Sequence, residues 1–175
     1  MSTWDELIKA VGPVSSIRDL FLKARSAGLN VAELMNNYLR SEPLFNFIGL
    51  EFVEVGDGFV RAVFPYKREI LRKGGMVHGG VIMTVIDTVL GTAVMTVNDG
   101  VDQYTAELKV HFLEPLINGP FTVEGRVIRL VGTWPLQRPT CTMQIGNYAQ
   151  LELVPGLWCE IISREQWPQE IPNTY

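Results

Sequence analysis

The spacing of apolar positions changes along the chain, and each change marks a different kind of element. Over residues 3–40 the spacing is helical. In "TWDELIKAVG", Leu7, Ile8 and Val11 recur at helical intervals, with Thr3 as an N-cap and Asp5 and Glu6 in the first turn. "SSIRDLFLKARSAGLN" repeats the pattern through Ile17, Leu20, Phe21 and Ala24, and Gly28 ends it. "VAELMNNYLRSEP" predicts a third short helix before Pro43. From residue 47 the period shortens. "FIGLEFVEVGDG" and "GFVRAVFPYK" predict two strands around a turn at Gly56-Asp57-Gly58. "QYTAELKVHFLEPL" alternates, with Ala106, Leu108, Val110 and Phe112 on one face and Glu107, Lys109 and His111 on the other. "GPFTVEGRVIRLVG", "PTCTMQIGNYAQL" and "PGLWCEIISRE" predict three further strands, and "QWPQEIPNTY" an irregular tail.

Between the two groups of strands lies "GGMVHGGVIMTVIDTVLGTAVMTV", residues 74–97. Val81, Ile82, Val85, Ile86, Val89, Leu90, Ala93 and Val94 cover most directions of a helix, which predicts burial. Thr84, Asp87, Thr88 and Gly91 form the one less apolar stripe, and Asn98-Asp99-Gly100 closes the helix. A carboxylate placed there is costly unless paired or hydrogen-bonded. It is either a structural Asp bonded to a neighbouring Thr or helix end, or a catalytic group. Gly79 and Gly80 stand where the helix begins. The first N–H groups of a helix lack internal partners and sit at its positive end. Glycine leaves them open to a ligand oxygen, so they make a candidate oxyanion hole. His78 precedes them, either as a helix-start residue bonded to backbone or as part of the site.

"MVHGGVIMTVIDTVLGTA" closely resembles the signature of hotdog-fold acyl-CoA thioesterases of the PaaI-like type. The spacing from His78 through Gly79-Gly80 to Asp87 matches, as do "YTAELKVHFLEP" and the element order over residues 47–163. The resemblance implies an α+β hotdog fold, with an antiparallel sheet wrapped around a long central helix. A helical extension at 1–45 would precede a thioesterase domain at 46–175. It also implies hydrolysis of an acyl-CoA thioester. Gly79 N–H would polarise the carbonyl, and Asp87 would act as nucleophile or general base. His78 would help order the site, with Thr105 near the reacting water. Where the family often has Asn six residues before the His, this chain has Arg72. Arg72 could replace that Asn, bind a phosphate or stay solvated. With Lys67, Arg68 and Lys73 it forms a basic group beside the site, suited to the phosphates of coenzyme A or simply solvated. Thr105 shares strand parity with Glu107 and Lys109, which points it to solvent unless the strand is bent.

Composition narrows the alternatives. A chain of 175 residues with 47% hydrophobic content suits one domain with a real core. The net charge of −4 argues against a nucleic-acid binder. The stretch 81–97 is at the short edge for a membrane span and carries Asp87 at its centre, so a buried helix is expected. Asp5 and Glu6 stand where a secretory signal would be basic, which predicts a cytoplasmic protein. Cys141 and Cys159 read as reduced core thiols. His78 and His111 are the only histidines and lack paired ligands, so neither a metal nor another cofactor is expected, coenzyme A being part of the substrate.

The expected partners are an acyl-CoA and further copies of the chain. Gly79 and Asp87 are eight residues apart on one helix, about 12 Å at 1.5 Å per residue. They cannot both reach one thioester. A homodimer or homotetramer with sites at the subunit interface is expected. Two other readings remain. A hotdog dehydratase or hydratase would need a His-Phe-Pro-Gly type of stretch, which is absent. A non-enzymatic acyl-CoA sensor would use the N-terminal helices on DNA, but five acidic and five basic residues leave the first 45 neutral.

Overall fold

A computed structural model of the chain describes residues 9, 11–100, 102–112, 114–131, 138–146 and 158–162. For residues 102, 104, 106, 107, 129–131, 138–146 and 158–162 the description covers the backbone only. Of the expected helix "TWDELIKAVG", Lys9 and Val11 are described and helical, whereas Thr3, its expected cap, lies outside the described residues, as does the tail from Gln166.

Two helices form where the apolar spacing predicts them, each with a side-chain cap. Helix α1 is Ile17–Ser26, with the Ser16 hydroxyl accepting from Asp19 N–H at 3.1 Å. Helix α2 is Val31–Ser41, with the Asn30 side chain accepting from Glu33 N–H at 3.3 Å. Leu20, Phe21 and Ala24 of α1, and Val31, Ala32, Met35 and Leu39 of α2, are buried in one core with the sheet. Helix α3, Pro43–Ile48, was not expected. Pro43 presets the first turn, and Gly49 at φ 78° ends it in the left-handed region. Strand β1 therefore begins at Glu51, and the apolar Phe47 and Ile48 belong to a helix turn rather than to a strand.

Strand β1 (Glu51–Gly56) pairs antiparallel with β2 (Phe59–Phe64) across the Asp57-Gly58 turn. A small hairpin follows, β3 (Leu71–Arg72) with β4 (Met76–Val77). Then come the central helix α4 (Gly79–Met95) and strands β5 (Asp102–Glu107), β6 (Phe121–Val131), β7 (Arg138–Gly146) and β8 (Trp158–Ile162). The main sheet runs β1-β2-β6-β7, all antiparallel; β5 pairs with β8, and β8 lies beside β7. Helix α4 packs across β2, β5, β6 and β7. This is the sheet wrapped around a central helix that the resemblance implies.

The packing follows from strand periodicity. Val60, Ala62 and Phe64 of β2, and Phe121 and Val123 of β6, turn inward against Val85, Ile86, Val89 and Leu90 of α4. On the outer face Arg61 bonds Glu124 and Glu54, each at 2.7 Å. Gly125 marks the closest approach of helix to sheet. A Cβ there would lie 3.0 Å from Val89 Cγ1, 3.2 Å from Leu90 Cδ2 and 3.3 Å from Val89 C=O, so a larger residue would press α4 away from the sheet. No helix among the described residues is long and apolar enough to cross a membrane.

The N-terminal helices are bonded to the sheet as well as packed on it. The buried Asn36 side chain donates to Phe52 C=O at 2.8 Å and accepts from Phe52 N–H at 2.7 Å. It completes the backbone of edge strand β1 at the bulge that follows Phe52. At the other end of α1, the N–H groups of Ile17 and Arg18 donate to the carbonyls of Gly100 and Asn98, just beyond α4.

The alternation of "QYTAELKVHFLEPL" overstates the length of its strand. β5 ends at Glu107, after a register shift between Thr105 and Glu107. Leu108 and Val110 still pack on the core, but Phe112 is 52% exposed. The shift breaks strict parity, and that changes where Thr105 points.

Candidate active site

The site is built around the two ends of the apolar stretch 79–91. At the N-terminal end, the hairpin β3-β4 turns through Gly74 and Gly75, at φ 109° and 77°, and delivers the chain to His78. His78 N–H donates to Ile70 C=O at 2.9 Å, and Val77 N–H to Leu116 C=O at 3.0 Å. His78 is the N-cap of α4. Its Nδ1 accepts from Gly80 N–H at 3.1 Å, and its backbone carbonyl accepts from Val81 and Ile82. An accepting Nδ1 carries no proton, so the neutral ring holds its proton on Nε2.

That cap separates the two glycines, which sequence alone treats as a pair. Gly80 N–H is committed to His78, and a Cβ at Gly80 would lie 3.3 Å from Nδ1, so a larger residue there crowds the cap. Gly79 N–H has no acceptor among the described residues. A Cβ at Gly79 would meet only the Phe112 ring, at an ordinary 3.5 Å. Its backbone is not in the left-handed region either. Nothing among the described residues requires Gly79 to be glycine.

Two turns along α4 stands Asp87, half-buried, and the exposed Thr105 hydroxyl donates to its Oδ1 at 2.6 Å. The bend in β5 beyond Thr105 accounts for this meeting, which strict parity would not give. The bond fixes the carboxylate and leaves Oδ2 without a partner among the described residues. Gln103, on the same strand, donates from Nε2 to Gly91 C=O at 2.6 Å and so pins β5 to α4 about one turn beyond Asp87. Sequence reasoning did not single out Gln103 or Phe112, because both roles depend on where β5 meets the helix.

The stripe around Asp87 is less polar than its composition suggests. Thr84, Thr88 and Thr92 each return their hydroxyl to the carbonyl four residues back, at 2.9, 2.9 and 2.8 Å. The methyl groups of the half-buried Thr84 and Thr88 remain to line the surface, while Thr92 is buried. Asp87 thus sits on a mostly apolar, partly open face that also carries the exposed Met83. Arg68, Arg72 and Lys73 are exposed on and just before the hairpin, whereas Lys67 is tied to Phe47, donating to its carbonyl with its ammonium over the ring. Within one chain the structure joins His78 to Gly80 and Asp87 to Thr105, but it does not join the two pairs.

The thioesterase superfamily model matches residues 74–133, a stretch that contains His78, Gly79, Asp87, Thr105 and Phe112. A Saccharolobus solfataricus protein provisionally named an esterase is 39% identical over 117 residues, covering 67% of this chain and 71% of its own. A second from the same organism, similarly named, is 45% identical over 100 residues, covering 57% and 66%. Among solved structures, a thioesterase from Haemophilus influenzae superposes with a TM-score of 0.57 at 20% identity, over 75% of this chain and 85% of its own. A thioesterase family protein from Silicibacter pomeroyi gives 0.53 at 25% identity, over 61% and 78%.

Proposed function

This chain belongs to the thioesterase superfamily, and on that premise we propose that it hydrolyses an acyl-CoA thioester to the free acid and coenzyme A. The observation that carries the reading is the pairing of an uncommitted N–H at Gly79 with an Asp87 carboxylate held by Thr105. The first is a fixed donor at the positive end of a helix, suited to a carbonyl oxygen on which negative charge develops. The second is an oriented carboxylate with one oxygen free.

In this mechanism the thioester oxygen accepts from Gly79 N–H. Asp87 then either attacks the carbonyl carbon or takes a proton from the water that does. In the first case an acyl–aspartyl anhydride forms, the C–S bond breaks, and water later cleaves the anhydride. In the second, water adds directly and the C–S bond breaks as the tetrahedral species collapses. Coenzyme A leaves as the thiolate in both. The steps call for no metal or organic cofactor. The two groups lie about 12 Å apart on one helix, by the rise per residue, whereas attack needs about 3–3.5 Å. The site is therefore completed by a second copy of the chain. Two α4 helices antiparallel across a two-fold axis bring Gly79 of each toward Asp87 of the other. The exposed Met83 and the open Asp87 face are suited to that contact. Arg68, Arg72 and Lys73 would receive the phosphates of coenzyme A.

Use of the N-terminal helices as a DNA-binding unit is disfavoured. Their apolar faces are spent in the core, and Arg18, Lys23 and Arg25 are paired with Asp99, Asp19 and Asp57.

The test is thiol release from a panel of short aliphatic, long aliphatic and aromatic acyl-CoAs. Asp87→Asn serves as the control, with an expected loss in kcat of about 10²–10⁴-fold. No release from any member, or a folded Asp87→Asn enzyme with wild-type kcat, refutes the reading.

A further inference from the structure

We propose that Phe112 is a substrate-positioning residue, an apolar wall that closes over the Gly79 N–H and keeps water from the thioester carbonyl held there. The proposal rests on the hydrolase reading above for its substrate, but its observations are separate. Leu108 and Val110 turn into the core, and the parity of the segment would send Phe112 after them. Instead its side chain is 52% exposed and lies outside the core. Its ring edge faces α4 at one point: Cζ and Cε1 lie 3.5 and 3.6 Å from where a Gly79 side chain would start. A Cβ is about 2.5 Å from its own nitrogen by standard bond lengths and angles, so the ring edge is at most about 6 Å from the Gly79 nitrogen. An acyl carbonyl bonded to that N–H lies beside the ring.

The physical reason for an aromatic there is the dielectric. A single N–H polarises a carbonyl far more strongly when water is excluded from both. Gly79 sits at an exposed helix end, with exposed His78 and Gly80 beside it. A ring lying against Gly79 supplies the dry side of such a donor, and its exposed face is free for the acyl or pantetheine carbons to cover. Phe112 differs in this from Arg72 and Lys73, whose part depends on the nucleotide.

The experiment compares Phe112→Ala and Phe112→Leu with the wild type on hexanoyl-CoA and on hexanoyl-pantetheine. Circular dichroism and sedimentation check fold and assembly. A carbonyl probe needs no turnover: the C=O stretch of a bound ketone analogue of hexanoyl-CoA, with a methylene between sulfur and carbonyl. For Phe112→Ala we expect kcat to fall about tenfold on both substrates with KM changed less, as for a contact realised in the transition state. The downshift of the bound C=O stretch should shrink in parallel. Phe112→Leu, which keeps an apolar wall, should recover most of both. An unchanged kcat and stretch in Phe112→Ala overturns the proposal and leaves the hydrolase reading standing. Loss explained by dissociation to monomers also overturns it, making Phe112 a subunit contact. A wild type that binds the analogue with a downshift lost in Phe112→Ala, yet turns over neither thioester, would keep the role of Phe112 and refute hydrolysis. Absence of both binding and turnover in the wild type overturns both.

Discussion

Two adjacent glycines at the start of α4 should respond differently to the same change. At Gly79 a methyl group meets only the Phe112 ring, at 3.5 Å, which is ordinary contact. The backbone there is helical, and alanine is favoured over glycine in helices by up to about 1 kcal/mol. Gly79→Ala should therefore leave stability unchanged or raise it by at most about 1 kcal/mol. The methyl nevertheless stands beside the N–H that the mechanism uses. Loss of an oxyanion donor costs about 10²–10³-fold in kcat, and a hindered one should lose at least about tenfold. At Gly80 the same methyl falls 3.3 Å from His78 Nδ1 and crowds the cap. Losing that N-cap bond costs about 1 kcal/mol, which offsets what alanine gains in helix propensity, so Gly80→Ala should not show the gain open to Gly79→Ala. Urea unfolding midpoints and thiol-release kinetics on both variants make the comparison. If Gly79→Ala destabilises the fold by more than about 1 kcal/mol, glycine is needed for internal packing and the reasoning fails. Wild-type kcat in Gly79→Ala would remove Gly79 from the chemistry.

Three further outcomes are expected. Thr105→Val removes a hydroxyl bond to a carboxylate, commonly about 1.5–3 kcal/mol, so kcat should fall about 10–100-fold, with Thr105→Ser retaining most activity. Asn36→Ala strands the buried N–H and C=O of Phe52, at about 1–3 kcal/mol each. At roughly 2–4 °C per kcal/mol for a chain of this size, thermal unfolding should drop by about 4–24 °C. Replacing Arg72 and Lys73 together with Ala should raise KM for acyl-CoA more than it lowers kcat, and have little effect on an acyl-pantetheine. An equal loss on both substrates would instead put Arg72 at the carbonyl.

Much of this architecture is legible in the sequence because period and burial coincide. Helix α4 is apolar nearly all round, which predicts a buried element, and the strands that flank it together with the family resemblance imply the sheet about it. The apolar spacing with the stop at Gly28 marks α1, and the spacing up to Pro43 marks α2. What stays hidden depends on contacts between distant segments. The stretch before β1 is apolar at positions that serve a single helical turn as well as a strand, and Pro43 and Gly49 decide between them. The shift after Thr105 leaves no mark on the alternation, so Thr105 reads as solvent-facing when it meets Asp87. The division of labour between Gly79 and Gly80 is set by the rotamer of His78, which spacing does not encode.

The central claim is that two chains build one site, and complementation tests it most directly. Asp87→Asn and Gly79→Leu are each expected to be inactive alone. Mixed under conditions in which subunits exchange, they should form heterodimers with one site carrying both defects and one carrying neither. Activity per heterodimer should then return toward half the wild-type value. No recovery despite demonstrated subunit exchange, or full activity in a demonstrated monomer, would contradict the account.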